Sequence, residues 1–430
     1  MQKARLLLAA RSLKRLAPAF LTITILFGCA SLQNRDDGRT SATSIARLKQ
    51  LSALTAADAQ KGQFPGVVIL VARNGKVVYS DAIGVQDPKT GTPMQMDSIF
   101  RIASMTKPLV TVGALTLVES GRIQLADPVS RHLPELKGLQ VGVEKRDASG
   151  NASLELVPAQ REMTVQDLLR HTSGLTYGIF GKSLVKDAYN KAELFNPEQS
   201  SAELVTKLSK LPLAFQPGTT WDYSMSTDVL GALIERVSGQ TLDIFLAERV
   251  TKPLSMKDTG FWVDTAQHSR IAEPFEVDPD TKASARVPDV RKQRRFLSGG
   301  GGMVSTAGDY MRFAQMMLNG GELDGARILA RKTVELMTTD QLGSTIARGP
   351  LYFPGPGYGF GLGVQVRVAT GEAANLGSVG DYGWAGAYGT TFFIDPKERL
   401  IAIWLMQRPN LPASAYFWRR MRTFVYTAIE

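Results

Sequence analysis

Between Pro108 and Val118 the chain carries no charged side chain, and Leu109, Val110, Val112, Ala114, Leu115, Leu117 and Val118 cover most of a helical wheel. A helix that is apolar on every side has to be buried on every side, so the other elements must pack around this one. Gly121 supplies its stop; Ala103, Ser104 or Thr106 supplies its start, with Pro108 tolerable only inside the first turn. With 430 residues, 44% of them hydrophobic and 21% charged, the chain can build such a core, and its length alone allows two domains.

Lys107 breaks the pattern. In the first turn of a buried helix, the macrodipole and desolvation both disfavour a cation, so an amine able to accept a proton is expected there. Ser104 stands three residues earlier, on the same helical face. A serine hydroxyl is a weak nucleophile until a neighbour takes its proton, and Lys107 is placed to do so. The spacing alone says little, because both residue types are common. The chain holds a second copy, Ser183 and Lys186, in a polar stretch with no apolar helix behind it. That copy reads as accidental.

The N-terminus reads as an export signal over residues 1–28, basic to Arg15 and then apolar to Gly28, too short to span a bilayer comfortably. Its five basic residues leave +5 of the formal +10 once removed. The remaining excess is moderate, and the cluster Arg291, Lys292, Arg294, Arg295 reads as a solvated face rather than a nucleic-acid stripe, so no nucleic-acid partner is expected. Cys29, the sole cysteine, follows Leu26-Phe27-Gly28 and resembles the lipobox of bacterial lipoproteins. That resemblance implies lipidation of Cys29 and attachment to the outer membrane, since Ala30 replaces the aspartate associated with inner-membrane retention. Phe27 departs from the usual small residue, which leaves ordinary cleavage or an uncleaved anchor as alternatives. A lone cysteine excludes an intramolecular disulfide and a cysteine zinc cage.

Residues 29–44 form a polar tether, followed by a helix over about 45–60. Val67–Val71, Asn74-Gly75 and Val77–Ser80 predict a hairpin. From 121 to about 263 the pattern is mainly helical, with Thr164 and Asp167 capping a short helix to Arg170 and a hairpin expected near Ser149-Gly150-Asn151. Residues 176–200 mix aromatics with charge, as a lid or a plain surface loop would. The turn from Phe215 to Ser226 leads into a helix stopped by Gly239. Residues 265–296 lack periodicity and are expected to wrap the surface. The run Gly299–Gly302 has no following Gly-Lys-Ser/Thr, so it is not a phosphate loop; it lets backbone pass close to something. Strands are expected over 358–368, 377–384, 389–394 and 400–406, then an amphipathic helix over 415–429. Strands at both chain ends with helices between them predict an α/β (α+β) fold: one antiparallel sheet built from both ends, flanked by helices, with an inserted helical lobe over about 121–263 and a single domain over 45–430.

No Gly-x-Ser-x-Gly elbow and no His-Glu-x-x-His occurs, which argues against an ordinary α/β-hydrolase and a zinc protease. With three histidines (His132, His171, His268), a metal site is not expected, and His171 reads as structural. Ser104-Met105-Thr106-Lys107, Leu168 through Leu175, Pro217-Gly218 through Tyr223-Ser224, and the Gly300–Thr306 run stand in the order seen in one superfamily. From about residue 60 onward the chain resembles serine β-lactamases, D-Ala-D-Ala carboxypeptidases and, most closely, family VIII carboxylesterases.

The resemblance implies that Ser104 is the acylated nucleophile, Lys107 its activating partner and Tyr223 a proton relay. A phenol needs flanking cations or a hydrogen bond from Lys107 to act as a base. Met225 stands where class C β-lactamases carry asparagine. Trp384-Ala385-Gly386 stands where penicillin-recognising enzymes carry Lys-Thr-Gly, and an indole and a methyl cannot hold a carboxylate. Trp384, Gly386 and Met225 are therefore the expected substrate contacts, with the N–H groups of Ser104 and Ala387 as oxyanion donors. The implied activity is cofactor-free hydrolysis of a small neutral or hydrophobic ester. The alternatives are β-lactam or D-amino-acid peptide hydrolysis by the same residues, and a cell-wall sensor that acylates slowly or not at all.

Overall fold

The structure is a computed structural model that describes residues 42–429. The export signal, Cys29 and most of the tether lie outside the described residues. The last residues assigned to the tether, 42–44, instead open a helix, Ala42–Gln60.

An eight-stranded antiparallel sheet forms the frame. Its strands lie in the order Tyr358–Phe360, Gln365–Arg367, Tyr382–Ala385, Thr391–Asp395, Leu400–Met406, Gly66–Arg73, Lys76–Asp87 and Thr92–Pro93. The two chain ends meet at the pairing of Gly66–Arg73 with Leu400–Met406, in register from Val67 opposite Met406 to Arg73 opposite Leu400. Side chains alternate between faces, as the pleat requires. Val68, Leu70, Ile401, Ile403 and Leu405 face the larger core around the Thr106–Glu119 helix. Val67, Ile69, Val71, Ala402, Trp404 and Met406 face the Ala42–Gln60 helix and the C-terminal helix, Leu411–Thr427. Both neighbouring strands are therefore covered on two sides, which accounts for their unbroken apolar runs.

The Thr106–Glu119 helix is buried from Thr106 to Leu115, as its composition demands. The interposed lobe carries helices Leu184–Lys191, Ser201–Leu208 and Ser226–Ser238, the last ended by Gly239 in the left-handed region. It also carries the expected hairpin, Gln140–Arg146 with Ala152–Pro158, and a capping box at Thr164 and Asp167.

The segment 358–368 is not one strand but two, folded at Gly361–Gly363. Gly361 donates its N–H to Val364 O at 2.8 Å, and Gly363 has φ 73°. A Cβ on Gly363 would meet Thr111 Oγ1 at 2.3 Å, so the turn packs directly on the buried helix. The second Ser-x-x-Lys copy is a helix cap: Ser183 Oγ accepts from Lys186 N–H at 3.1 Å, while Lys186 Nζ reaches Thr176 Oγ1 at 2.9 Å.

Candidate active site

Ser104 lies in a single 3-10 turn, Ala103–Met105, that runs straight into the Thr106–Glu119 helix. Ala103 has φ 44°, a left-handed conformation that costs an alanine about 1–2 kcal/mol. The surroundings impose it from several directions. Ile102 donates its N–H to Met303 O (3.0 Å) and accepts from Thr390 Oγ1 (3.2 Å). Thr106 Oγ1 accepts from Met303 N–H (3.1 Å), and Tyr310 O–H donates to Met105 O (2.9 Å). Backbone strain fixed in this way is a common companion of a functional residue.

Lys107 is 1% exposed. Its Nζ is 2.6 Å from Gly300 O, 3.3 Å from Tyr177 Oη and 3.4 Å from Ser104 Oγ. It belongs to no ion pair among the described residues. The glycine run is what brings the carbonyl so close. A Cβ on Gly300 would stand 2.3 Å from Asp228 Oδ2 and 2.8 Å from Tyr177 Oη. Asp228 anchors the run, its Oδ1 accepting from Ser298 Oγ (2.6 Å) and Gly300 N–H (3.0 Å). Tyr177 O–H donates to Asp228 Oδ2 at 3.3 Å. Burial first, then the Asp228 carboxylate, pushes the Tyr177 phenol well above its ordinary range, so it stays protonated.

Tyr223 presents its ring to Lys107, with Nζ 4.5 Å from the ring centre. The expected hydrogen bond from Lys107 goes to Tyr177 instead. The Tyr223 hydroxyl accepts from the Trp384 indole N–H at 3.2 Å. His171 lies beside the Tyr223 ring, their centres 4.9 Å apart, with Trp221 and Phe360 on other sides. Burial, and secondarily the charge of Lys107, holds His171 well below its ordinary value and therefore neutral. It packs against the Tyr223 ring and is not among the residues that line the Ser104 cavity.

A cavity of about 390 Å³ opens beside Ser104, lined by Tyr177, Phe180, Phe195, Tyr223, Phe261, Phe296 and Ala387 among others. Ala387 is the second residue of a turn closed by Gly389 N–H to Gly386 O at 3.1 Å, a position whose own N–H takes no part in closing the turn. Pro288, Val290 and Phe296, within the 265–296 segment read as a surface wrap, line the cavity together with Leu297. Three expected substrate contacts are placed differently. Met225 is fully buried and lines a neighbouring cavity with Tyr189 and Asn190. Gly386 packs so tightly that a Cβ would lie 2.4 Å from Ile102 O. Trp384 is buried and reaches the cavity through Tyr223.

Sequence reasoning missed Tyr177 and Asp228. The only signal for Tyr177 was an aromatic residue just after the Ser173-Gly174-Leu175 turn, in the stretch read as lid or loop. Asp228 carried none.

A family model described as Beta-lactamase matches residues 51–423. The chain belongs to the beta-lactamase family. Protein Rv1367c of Mycobacterium tuberculosis is 36% identical over 362 residues, covering 82% of this chain and 88% of that one. Esterase EstB of Burkholderia gladioli is 31% identical over 352 residues, covering 77% and 82%. The solved structure of EstCE1, a hydrolase with promiscuous acyltransferase activity, superposes with a TM-score of 0.73 at 24% identity, covering 90% of this chain and 100% of that one. The mixed α/β fold, with its large antiparallel sheet flanked by helices, is shared with that structure.

Proposed function

We propose that this protein is a serine hydrolase of carboxylic esters that works through an acyl-enzyme on Ser104. The observation that carries the reading is the set of partners around the buried Lys107 amine. Gly300 O and Tyr177 Oη hold two of the three hydrogen-bonding directions of Nζ, and the third is aimed at the Ser104 hydroxyl. As Oγ attacks the ester carbonyl, its proton passes to Lys107, and the carbonyl oxygen gathers charge between the N–H groups of Ser104 and Ala387. Tyr223, on the same cavity wall, relays a proton to the departing alcohol. Water then adds to the acyl-enzyme with the Lys107/Tyr223 pair as base, which releases the acid and restores Ser104. The cycle consumes one water per ester.

An ester is favoured over a β-lactam because the strand that would hold a ring carboxylate offers Trp384 and Ala385, and because the cavity walls are largely apolar. The esterase name of the Burkholderia gladioli relative supports the same choice. Hydrolysis of p-nitrophenyl butyrate and of a chromogenic cephalosporin, with Ser104→Ala as control, tests it. Ester turnover that exceeds cephalosporin turnover and disappears in the variant is expected. Preference for the cephalosporin reverses the substrate assignment, and a wild type inert to both favours the sensor.

The N-terminal pattern supports a second proposal, that Cys29 is lipidated and holds the domain at a bacterial membrane. Cys29→Ser should then move the protein from the membrane fraction to the soluble one. Retention of the variant in the membrane overturns this.

A further inference from the structure

Arg291, Lys292, Arg294 and Arg295 precede the glycine run and read, from sequence, as one solvated face. The structure separates them. Arg291 pairs with Glu273 (2.5 Å) and Asp289 (3.4 Å), and Arg295 pairs with Glu203 (3.1 Å). Arg294 enters no ion pair among the described residues, and its hydrogen bond goes to the Asp289 carbonyl at 3.2 Å. It is half-buried, and of the four it alone lines the Ser104 cavity.

The cavity lining is largely apolar: Pro288, Val290, Phe296 and Tyr388, the last next to the oxyanion donor Ala387, line it together with Arg294. The other cation in the lining, Arg101, is already engaged. Its guanidinium is buried, paired with Glu273 at 3.2 Å and bonded to Pro288 O (2.5 Å) and Ala272 O (2.9 Å). A guanidinium held against hydrocarbon without a counter-ion offers a planar fork that matches a carboxylate.

We propose that Arg294 selects esters that carry a carboxylate on an apolar acyl or alcohol group. The proposal rests on the ester-hydrolase reading and refines its substrate class. It does not restore the anion site missing at Trp384-Ala385-Gly386. That strand would have gripped the carboxylate, whereas Arg294 is not on it and lines the cavity from the segment that also supplies Pro288, Val290 and Phe296. Either the acyl part or the alcohol part of the ester can bring the charge there, and the test has an arm for each.

The acyl arm compares mono-p-nitrophenyl suberate with its methyl ester. The alcohol arm compares 4-carboxyphenyl butyrate with its methyl ester. In the wild type, one anionic probe should exceed its neutral partner about tenfold in kcat/KM. Arg294→Gln should collapse that ratio, and Arg294→Lys should keep part of it. Independently of turnover, Ser104→Ala should bind monoethyl suberate about tenfold more tightly than diethyl suberate, and Ser104→Ala/Arg294→Gln should lose the difference. Ratios that are the same in wild type and Arg294→Gln, or no anionic preference in either arm, overturn the proposal. If esters are not turned over but binding still depends on Arg294, the hydrolase reading fails and the anion site stands. Brisk turnover with no dependence on Arg294 does the opposite: the hydrolase reading stands and the anion site fails.

Discussion

Two phenols flank the Lys107 amine, and replacing each with phenylalanine separates their roles. In Tyr177→Phe the ring keeps its packing on Phe180 and Tyr223, with centres 5.8 and 5.4 Å away, and only the hydroxyl is lost. Two long hydrogen bonds go with it, from Lys107 and to Asp228, both 3.3 Å. Asp228 keeps Ser298 and Gly300 on its other oxygen, so the glycine run stays in place and Lys107 keeps the Gly300 carbonyl. At about 0.5–1.5 kcal/mol net for each bond, the loss is about 1–3 kcal/mol, or about 5- to 150-fold in kcat/KM. Because Tyr177 stays protonated, the shape of the pH–rate profile should not change. Tyr223→Phe removes the proposed relay and should cost about 10²–10⁴-fold, the usual weight of a positioned acid or base. Initial rates on p-nitrophenyl butyrate across neutral and mildly alkaline pH, with near-UV circular dichroism to check the fold, decide between them. A Tyr177→Phe variant as inactive as Ser104→Ala, beside a Tyr223→Phe variant within about tenfold of wild type, refutes these roles. The relay would then belong to Tyr177.

Gly300→Ala should displace Asp228 and Tyr177, since its Cβ would stand 2.3 and 2.8 Å from their oxygens; a loss of about 1–3 kcal/mol in thermal stability and of about 10²-fold in rate is expected. Trp384→Phe removes the N–H donor on the Tyr223 hydroxyl, and kcat/KM should fall about 2- to 13-fold with the fold intact. His171 sets a pH dependence of stability. Its folded value lies well below the ordinary 6.5, so the unfolded chain takes up a proton that the folded one refuses. Stability is therefore fully present above about pH 6.5 and falls on acidification by up to about 1.4 kcal/mol per pH unit. Chemical denaturation at stepped pH should show this slope in wild type and a shallower one in His171→Asn.

The buried helix, the Asn74-Gly75 hairpin and the sheet built from both chain ends were legible because each rests on local pattern. Charge-free runs bury, period-two runs pair, and Asn-Gly turns tightly. Ser104 and Lys107 were legible for the same reason, being three residues apart on one such element. What failed to show was contact across distance. Tyr177 meets Lys107 from 70 residues along the chain, out of a stretch with no periodicity, and nothing local marks Asp228 as the anchor of Gly300. The split of 358–368 was hidden because its turn is shaped by Thr111 on another element. Trp384 was expected as a substrate contact, and its hydrogen bond to the Tyr223 hydroxyl went unseen because it joins residues 161 apart in the chain. Met225 was assigned by its motif position, and its burial follows from the helix that begins beside it.

The seam between Gly66–Arg73 and Leu400–Met406 has a consequence for how this molecule comes into being. A ribosome delivers the first of these segments long before the second, so the sheet's middle stays open for most of synthesis and no partial product can be native. Closing the sheet must await synthesis of Leu400–Met406, and a pairing of such long sequence separation slows folding. A nonsense mutation anywhere upstream of the final strand should leave an exposed hydrophobic edge and an aggregate in place of a shortened enzyme.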